Sequence, residues 1–205
     1  MRARDIMTAP VVSVRPGTPV KEAAALLATN GFTALPVVSD DDRLVGIVTE
    51  ADLMRDRVPR DPRAYCHPLE QLPTTTTTTV GEVMTTAVTA MSPGTDVAVL
   101  TKALLDAHQR SMPIVDGSRL VGIVTRRDIV RVIARDDRTI ADDVRHRLEI
   151  YGGDRRWRVE VHDGMVDIGD EFDDSTDRHV ATVLAESVPG VVRATAFAAR
   201  DEDER

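Results

Sequence analysis

The sequence predicts a mixed α/β protein of the α+β type. Two β-α-β-β-α units pack as a pseudo-symmetric pair, and a small C-terminal α-β-β-α-β domain follows. Three observations predict this. "DIMTAPVVSVRPGTPV" aligns with "EVMTTAVTAMSPGTDV", so that Met7 and Met84, Pro16 and Pro93, and Pro36 and Pro113 all pair at an offset of 77. "GIVTEAD" (Gly46–Asp52) then recurs as "GIVTRRD" (Gly122–Asp128) at an offset of 76, one residue having been lost from the loop between. Finally, 17 basic and 17 acidic residues precede Thr139, whereas 9 basic and 17 acidic follow from it, so the whole net charge of −8 lies in the last third. Such a step in charge marks a domain boundary.

Each copy reads alike from its N-terminal end. A short β-type run, Val11–Val14 or Ala87–Ala90, leads into Pro-Gly and then Thr18 or Thr95, which suits a turn followed by a helix N-cap. Pro19 fits the first helical position, and Asn30-Gly31 supplies a stop signal. Two apolar β-type runs come next, turning at an Asp-rich loop in the first copy and at Asp116-Gly117 in the second. A short amphipathic helix opens just after Thr49 or Thr125. One such unit has too few residues to bury its apolar face, so two are expected to pack face to face.

The first unit is assigned to residues 1–58, a Pro- and Thr-rich linker to 59–79 and the second unit to 80–136. The linker has neither helical nor strand periodicity, although Thr74–Thr79 has the alternative of an edge strand. The C-terminal domain spans 139–200, with an acidic tail at 201–205. It reads as a helix around Ile140–Leu148, the alternating strand "WRVEV", a His-Asp-Gly turn, "MVDIGD", a helix over Ser175–Ser187 and a last strand near Val192–Phe197.

Composition excludes several functions. No apolar run approaches the roughly 20 residues of a membrane span. Asp5 interrupts the place where a signal peptide needs its apolar stretch, and Cys66 is the single cysteine, so a cytoplasmic protein without a disulfide framework is expected. The acidic excess and an aromatic content of 3% argue against nucleic acid as a partner. Cys66-His67 has no second cluster to complete four metal ligands, and His108, His146, His162 and His179 are scattered. Asp40–Asp42 reads more simply as an acidic hairpin turn than as a cation site. With no phosphate-binding glycine loop and no nucleophile–base pair, a non-enzyme needing no cofactor is expected.

The chemistry concentrates at "TEAD" and "TRRD", which carry two readings. In one, threonine and aspartate form a capping box for the helix that follows. In the other, the same helix start presents free N–H groups and partial positive charge to a phosphate, the threonine hydroxyl adds a hydrogen bond, and the aspartate accepts both hydroxyls of a ribose. Arg126 and Arg127 bear on the choice, because cations in a first turn oppose the helix dipole by a few tenths to about 1 kcal/mol. A phosphate would supply their missing partner; alternatively both face solvent or pair with Asp128 or Asp106. Glu50 at the matching place repels phosphate, so the two copies are expected to have unequal duties.

The duplicated "IMT"/"VMT", "PGT", Leu-Pro-Val/Met-Pro-Ile and "GIVTxxD" motifs resemble the CBS domain family over Met1–Ala134, in the tandem arrangement called a Bateman module. The resemblance implies an adenosyl ligand such as AMP, ADP, ATP or S-adenosylmethionine. It implies phosphate contacts from Thr49 and Thr125 and ribose contacts from Asp52 and Asp128. Ala34, Leu35, Ser111 and Met112 would border the adenine, and Arg110 would join Arg126 and Arg127 at the phosphate. It also implies a homodimer. "DGMVDIGD" and "VPGVVRA" in the last domain resemble the BON family. This implies either an output domain acting on an unknown protein partner, with the CBS pair as its sensor, or a membrane- or envelope-associated adaptor with the CBS pair as scaffold. In the adaptor, the cluster Arg155, Arg156 and Arg158 would meet phospholipid.

Overall fold

A computed structural model describes residues 1–55, 57–58, 78–172 and 174–198. Cys66, His67, Thr74–Thr77 and the acidic tail lie outside these residues. The chain divides into two compact units, Met7–Arg126 and a second that joins Met1–Ile6 to the chain from Arg127 onward.

In the first unit, helix α1 (Val20–Asn30) precedes an antiparallel hairpin of β1 (Ala34–Val38) and β2 (Leu44–Thr49), and β2 runs into the short helix α2 (Glu50–Met54). The second copy repeats this with α3 (Val97–Asp106) and a hairpin of β3 (Ser111–Asp116) and β4 (Arg119–Thr125). Helix α4 (Arg126–Ile133) begins at the end of the unit. Ala34 faces Thr49 and Ser111 faces Thr125 in the two registers, so each threonine sits opposite the first residue of the partner strand.

The expected strands Val11–Val14 and Ala87–Ala90 do not form. The first keeps one parallel bridge, Val14 with Val37, and the second none within its bounds, the matching bridge of Met91 with Ile114 falling one residue beyond its end. Proline explains the loss. Val14 N–H donates to the Pro36 carbonyl (3.0 Å) and Met91 N–H to the Pro113 carbonyl (3.0 Å), so the edge facing the incoming segment is the one where these prolines lack an N–H. The ladder has no donor with which to continue.

The caps also fall one residue later than expected. Asp96, not Thr95, caps α3 by accepting from Ala98 N–H at 2.7 Å. Pro19 stands at the N-cap of α1 without a side-chain bond, while the Thr18 hydroxyl accepts from Arg15 N–H in the preceding turn. Gly31 ends α1 in the left-handed region at φ 64°, and Phe32 N–H reaches back to the Leu27 carbonyl.

The copies exchange their lead-in segments. Thr8 of the first bridges Ile123 of the second, and Thr85 of the second bridges Ile47 of the first. Glycine permits both crossings: a Cβ on Gly122 would stand 2.3 Å from Met7 Sδ, and one on Gly46 would stand 2.5 Å from Met84 Sδ. The hairpin tips also join, through Leu44 N–H to the Ser118 carbonyl and Leu120 N–H to the Asp42 carbonyl. The core of the first copy, including Val20, Leu27, Leu35, Val37 and Val48, accordingly takes in Val80 from the second.

In the second unit, helix α5 (Asp137–Gly152) is capped by Asp136, and strands β5 (Trp157–His162), β6 (Met165–Asp170) and β7 (Arg193–Ala198) form a sheet in that order. β5 and β6 are antiparallel, whereas β6 and β7 are parallel and are connected through α6 (Ser175–Glu186). Ile140, Val144 and Leu148 of α5 pack with Trp157, Val159, Ile168, Ala181 and Ala185. The β5–β6 turn is anchored by the Asp137 carboxylate, which accepts from the N–H groups of Asp163 and Gly164.

Candidate ligand-binding site

Thr49 ends β2 in an extended conformation, which puts its hydroxyl over the first turn of α2. The hydroxyl accepts from Asp52 N–H at 3.3 Å and donates to Asp52 Oδ2 at 2.7 Å, and the same oxygen accepts from Thr49 N–H at 2.9 Å. Threonine and aspartate therefore form a reciprocal capping box in the first copy. Both are half-buried.

The second copy distributes its cations in a way the sequence does not disclose. Arg126 N–H donates to the Arg110 carbonyl. The Arg126 side chain turns away from its own helix start: Nε donates to the Gln109 carbonyl at 2.8 Å and a terminal nitrogen to the Leu104 carbonyl at 3.1 Å. Leu104 lies in the last turn of α3, where carbonyls lack helical partners and a cation complements the dipole. Arg126 thus serves as a C-terminal cap for α3. Its guanidinium is directed at these two carbonyls rather than at Asp128 or Asp106.

Arg110 pairs instead with Glu50 of the other copy, at 3.6 Å. Arg127 is exposed. Asp128 is 7% exposed and accepts from Arg131 at 3.3 Å. Arg127 and Asp128 belong to the second compact unit and Thr125 and Arg126 to the first.

Of the residues expected to border adenine, Leu35 and Met112 are fully buried, and Ala34 and Ser111 nearly so at the starts of β1 and β3. The acidic turn is compensated internally, with Asp42 within 3.8 Å of both Arg15 and Arg119 and Asp40 within 3.5 Å of Arg15. Among the described residues no group of His, Cys, Asp and Glu is placed to hold a metal, and His108, His146, His162 and His179 are all exposed. No helix of the described residues is long and apolar enough to cross a membrane.

The basic cluster of the second unit is mostly committed. Arg156 grips Asp170 with two bonds (2.9 and 3.1 Å) and Asp177 at 2.6 Å, with its guanidinium 4.4 Å from the Trp157 ring centre and 5.1 Å from that of Phe172. These carboxylates hold the guanidinium above its ordinary pKa. Asp177 is in turn held below the usual carboxylate range, first by the Tyr151 hydroxyl at 2.8 Å and then by Arg156, and that same bond raises Tyr151. Arg158 pairs with Glu160. Of the expected lipid-facing cluster, Arg155 is exposed whereas Arg156 is locked inside the fold.

The CBS domain family model matches residues 3–58 and 80–135, more than half of the chain. The chain is 30% identical over 129 residues to the A-adding tRNA nucleotidyltransferase of Geobacter sulfurreducens, a match covering 63% of this chain but 13% of that enzyme. It therefore spans a small part of that relative. Among solved structures, CBSX2 of Arabidopsis thaliana in complex with AMP is 29% identical with a TM-score of 0.52, covering 63% of this chain and 93% of that one. The CBS domain pair of protein MJ0100, in complex with 5'-methylthioadenosine and S-adenosyl-L-methionine, is 26% identical with a TM-score of 0.53, covering 64% and 94%.

Proposed function

As the chain belongs to the CBS domain family, we propose that it is a non-enzymatic regulatory protein whose CBS pair senses an adenosyl nucleotide. The observation that carries this reading is the likeness of the pair to two solved CBS pairs holding AMP, or 5'-methylthioadenosine and S-adenosylmethionine. The ligand of this chain is AMP, ADP, ATP or S-adenosylmethionine.

In the second copy the phosphate sits at the start of α4, with Thr125, Arg127 and Arg110 as contacts and Asp128 on the ribose. Arg126 contributes backbone and shape, since its guanidinium is engaged by α3. Thr49 and Asp52 are the weaker counterparts in the first copy. Ala34 and Ser111 line the adenine, with Leu35 and Met112 packed behind them.

The module consists of CBS copies at 1–58 and 80–136, joined by 59–79. A BON-like output domain over 139–200 presents the signal to a protein partner, and 201–205 form an acidic tail. The protein works as a cytoplasmic homodimer. Ligand acts by binding one arrangement of the pair better than another, which shifts their populations. Isothermal titration of the whole chain with AMP, ATP and S-adenosylmethionine tests this: saturable binding of at least one is expected, and heat from none of them would end the proposal.

A further inference from the structure

The repeat makes Thr33 the counterpart of Arg110 and Glu50 the counterpart of Arg126. The backbone honours this: the Thr33 carbonyl accepts from Glu50 N–H at 3.2 Å as the Arg110 carbonyl accepts from Arg126 N–H at 3.1 Å. At matching places one copy therefore offers a hydroxyl and a carboxylate, and the other two guanidiniums. Arg126 is held by the Leu104 and Gln109 carbonyls, whereas Arg110 reaches across to the opposite copy. Its partner is the carboxylate of the opposite copy, Glu50, at 3.6 Å, with the two side chains 69% and 46% exposed.

We infer that Glu50 is an intramolecular competitor for the anionic end of a ligand at Arg110, and that this contact sets the choice between phosphate-bearing and sulfonium-bearing adenosyl ligands. The inference rests on the adenosyl-sensing reading above. A phosphate reaching Arg110 must displace the Glu50 carboxylate from it. A ligand whose charged group there is a sulfonium is not drawn to the Arg110 guanidinium and leaves the pair in place. An exposed ion pair at this separation is easily opened, so the contact tunes affinity without barring phosphate altogether.

The test is calorimetric titration of the full chain with AMP and, separately, S-adenosylmethionine, using wild type, Glu50→Gln, Arg110→Ala and the double variant. Glu50→Gln is expected to tighten AMP about two- to five-fold, the range an exposed pair provides, without tightening S-adenosylmethionine. Arg110→Ala weakens AMP, and in that background Glu50→Gln gives no gain. An unchanged ratio of AMP to S-adenosylmethionine affinity in Glu50→Gln, or an equal AMP gain with and without Arg110, overturns the competition while leaving the sensing function standing. Absence of binding by wild type overturns both.

Discussion

Gly122→Ala tests whether the two copies are built through each other. The new Cβ would lie 2.3 Å from Met7 Sδ, 2.9 Å from its Cγ and 3.2 Å from its Cβ, against about 3.5–4.0 Å for comfortable carbon contacts. The Met7 Cβ needs to give by only a few tenths of an ångström, but the sulfur and Cγ stand where the new methyl must go and have to be displaced. The neighbouring Thr8 is tied to Ile123 by N–H to carbonyl bonds in both directions, 2.9 and 3.2 Å. Overpacking of this kind costs about 1–3 kcal/mol. Met7→Ala alone, which removes a half-buried thioether, costs about 1–2 kcal/mol. Together they relieve the clash, so the double variant is expected to fall short of the sum by at least about 1 kcal/mol, well beyond the few tenths within which distant sites add. Urea unfolding of all four proteins gives the coupling from the midpoints at constant slope. Additive losses would refute the exchange of lead-in segments, because Met7 and Gly122 come from different copies.

Asp170→Asn breaks a buried pair whose carboxylate is 0% exposed; a loss of about 3–5 kcal/mol is expected, read by fluorescence of Trp157, the single tryptophan. Asp177 is held below its ordinary range by Tyr151 and Arg156, so its stabilisation is complete above the unfolded carboxylate value, near pH 4, and is lost as pH falls through the lower folded value. Tyr151→Phe removes part of that depression, so acid unfolding followed by Trp157 emission should begin at higher pH than in wild type; an unchanged acid limb would contradict the assignment. Arg126→Ala should cost about 1–2 kcal/mol without any ligand present, as charged hydrogen bonds to two carbonyls are lost, and Arg126→Lys should not restore it, since an ammonium lacks the planar fork that reaches both. Chemical denaturation of the two variants reads this directly.

The repeat, the hairpins and the run of elements in the last domain were legible because each is written in local order. Pro36 and Pro113 mark the matching strands, Gly31 and Gly117 take the left-handed turns, at φ 64° and 62°, and β5 starts with the alternation of burial that its hydropathy shows. What escaped was whatever depends on a partner distant in sequence. Gly46 and Gly122 look like ordinary strand glycines until Met84 and Met7 arrive from the opposite copy. The lost lead-in strands follow from the side of β1 and β3 on which a proline lacks its donor, which periodicity does not encode. Arg126 reads as an unpaired cation because its carbonyl partners lie 17 and 22 residues earlier. Arg156 reads as part of a basic patch because Asp170 is 14 residues away.

The most direct measurement is a crystal structure of the full chain soaked with AMP. The expected result is a nucleotide with its phosphate at the opening turn of α4, within hydrogen-bond reach of Thr125 and Arg127, Arg110 swung from Glu50 towards it, and the ribose hydroxyls on Asp128. Crystals that remain free of nucleotide at saturating AMP, or an AMP molecule seated away from Thr125–Asp128, would contradict it.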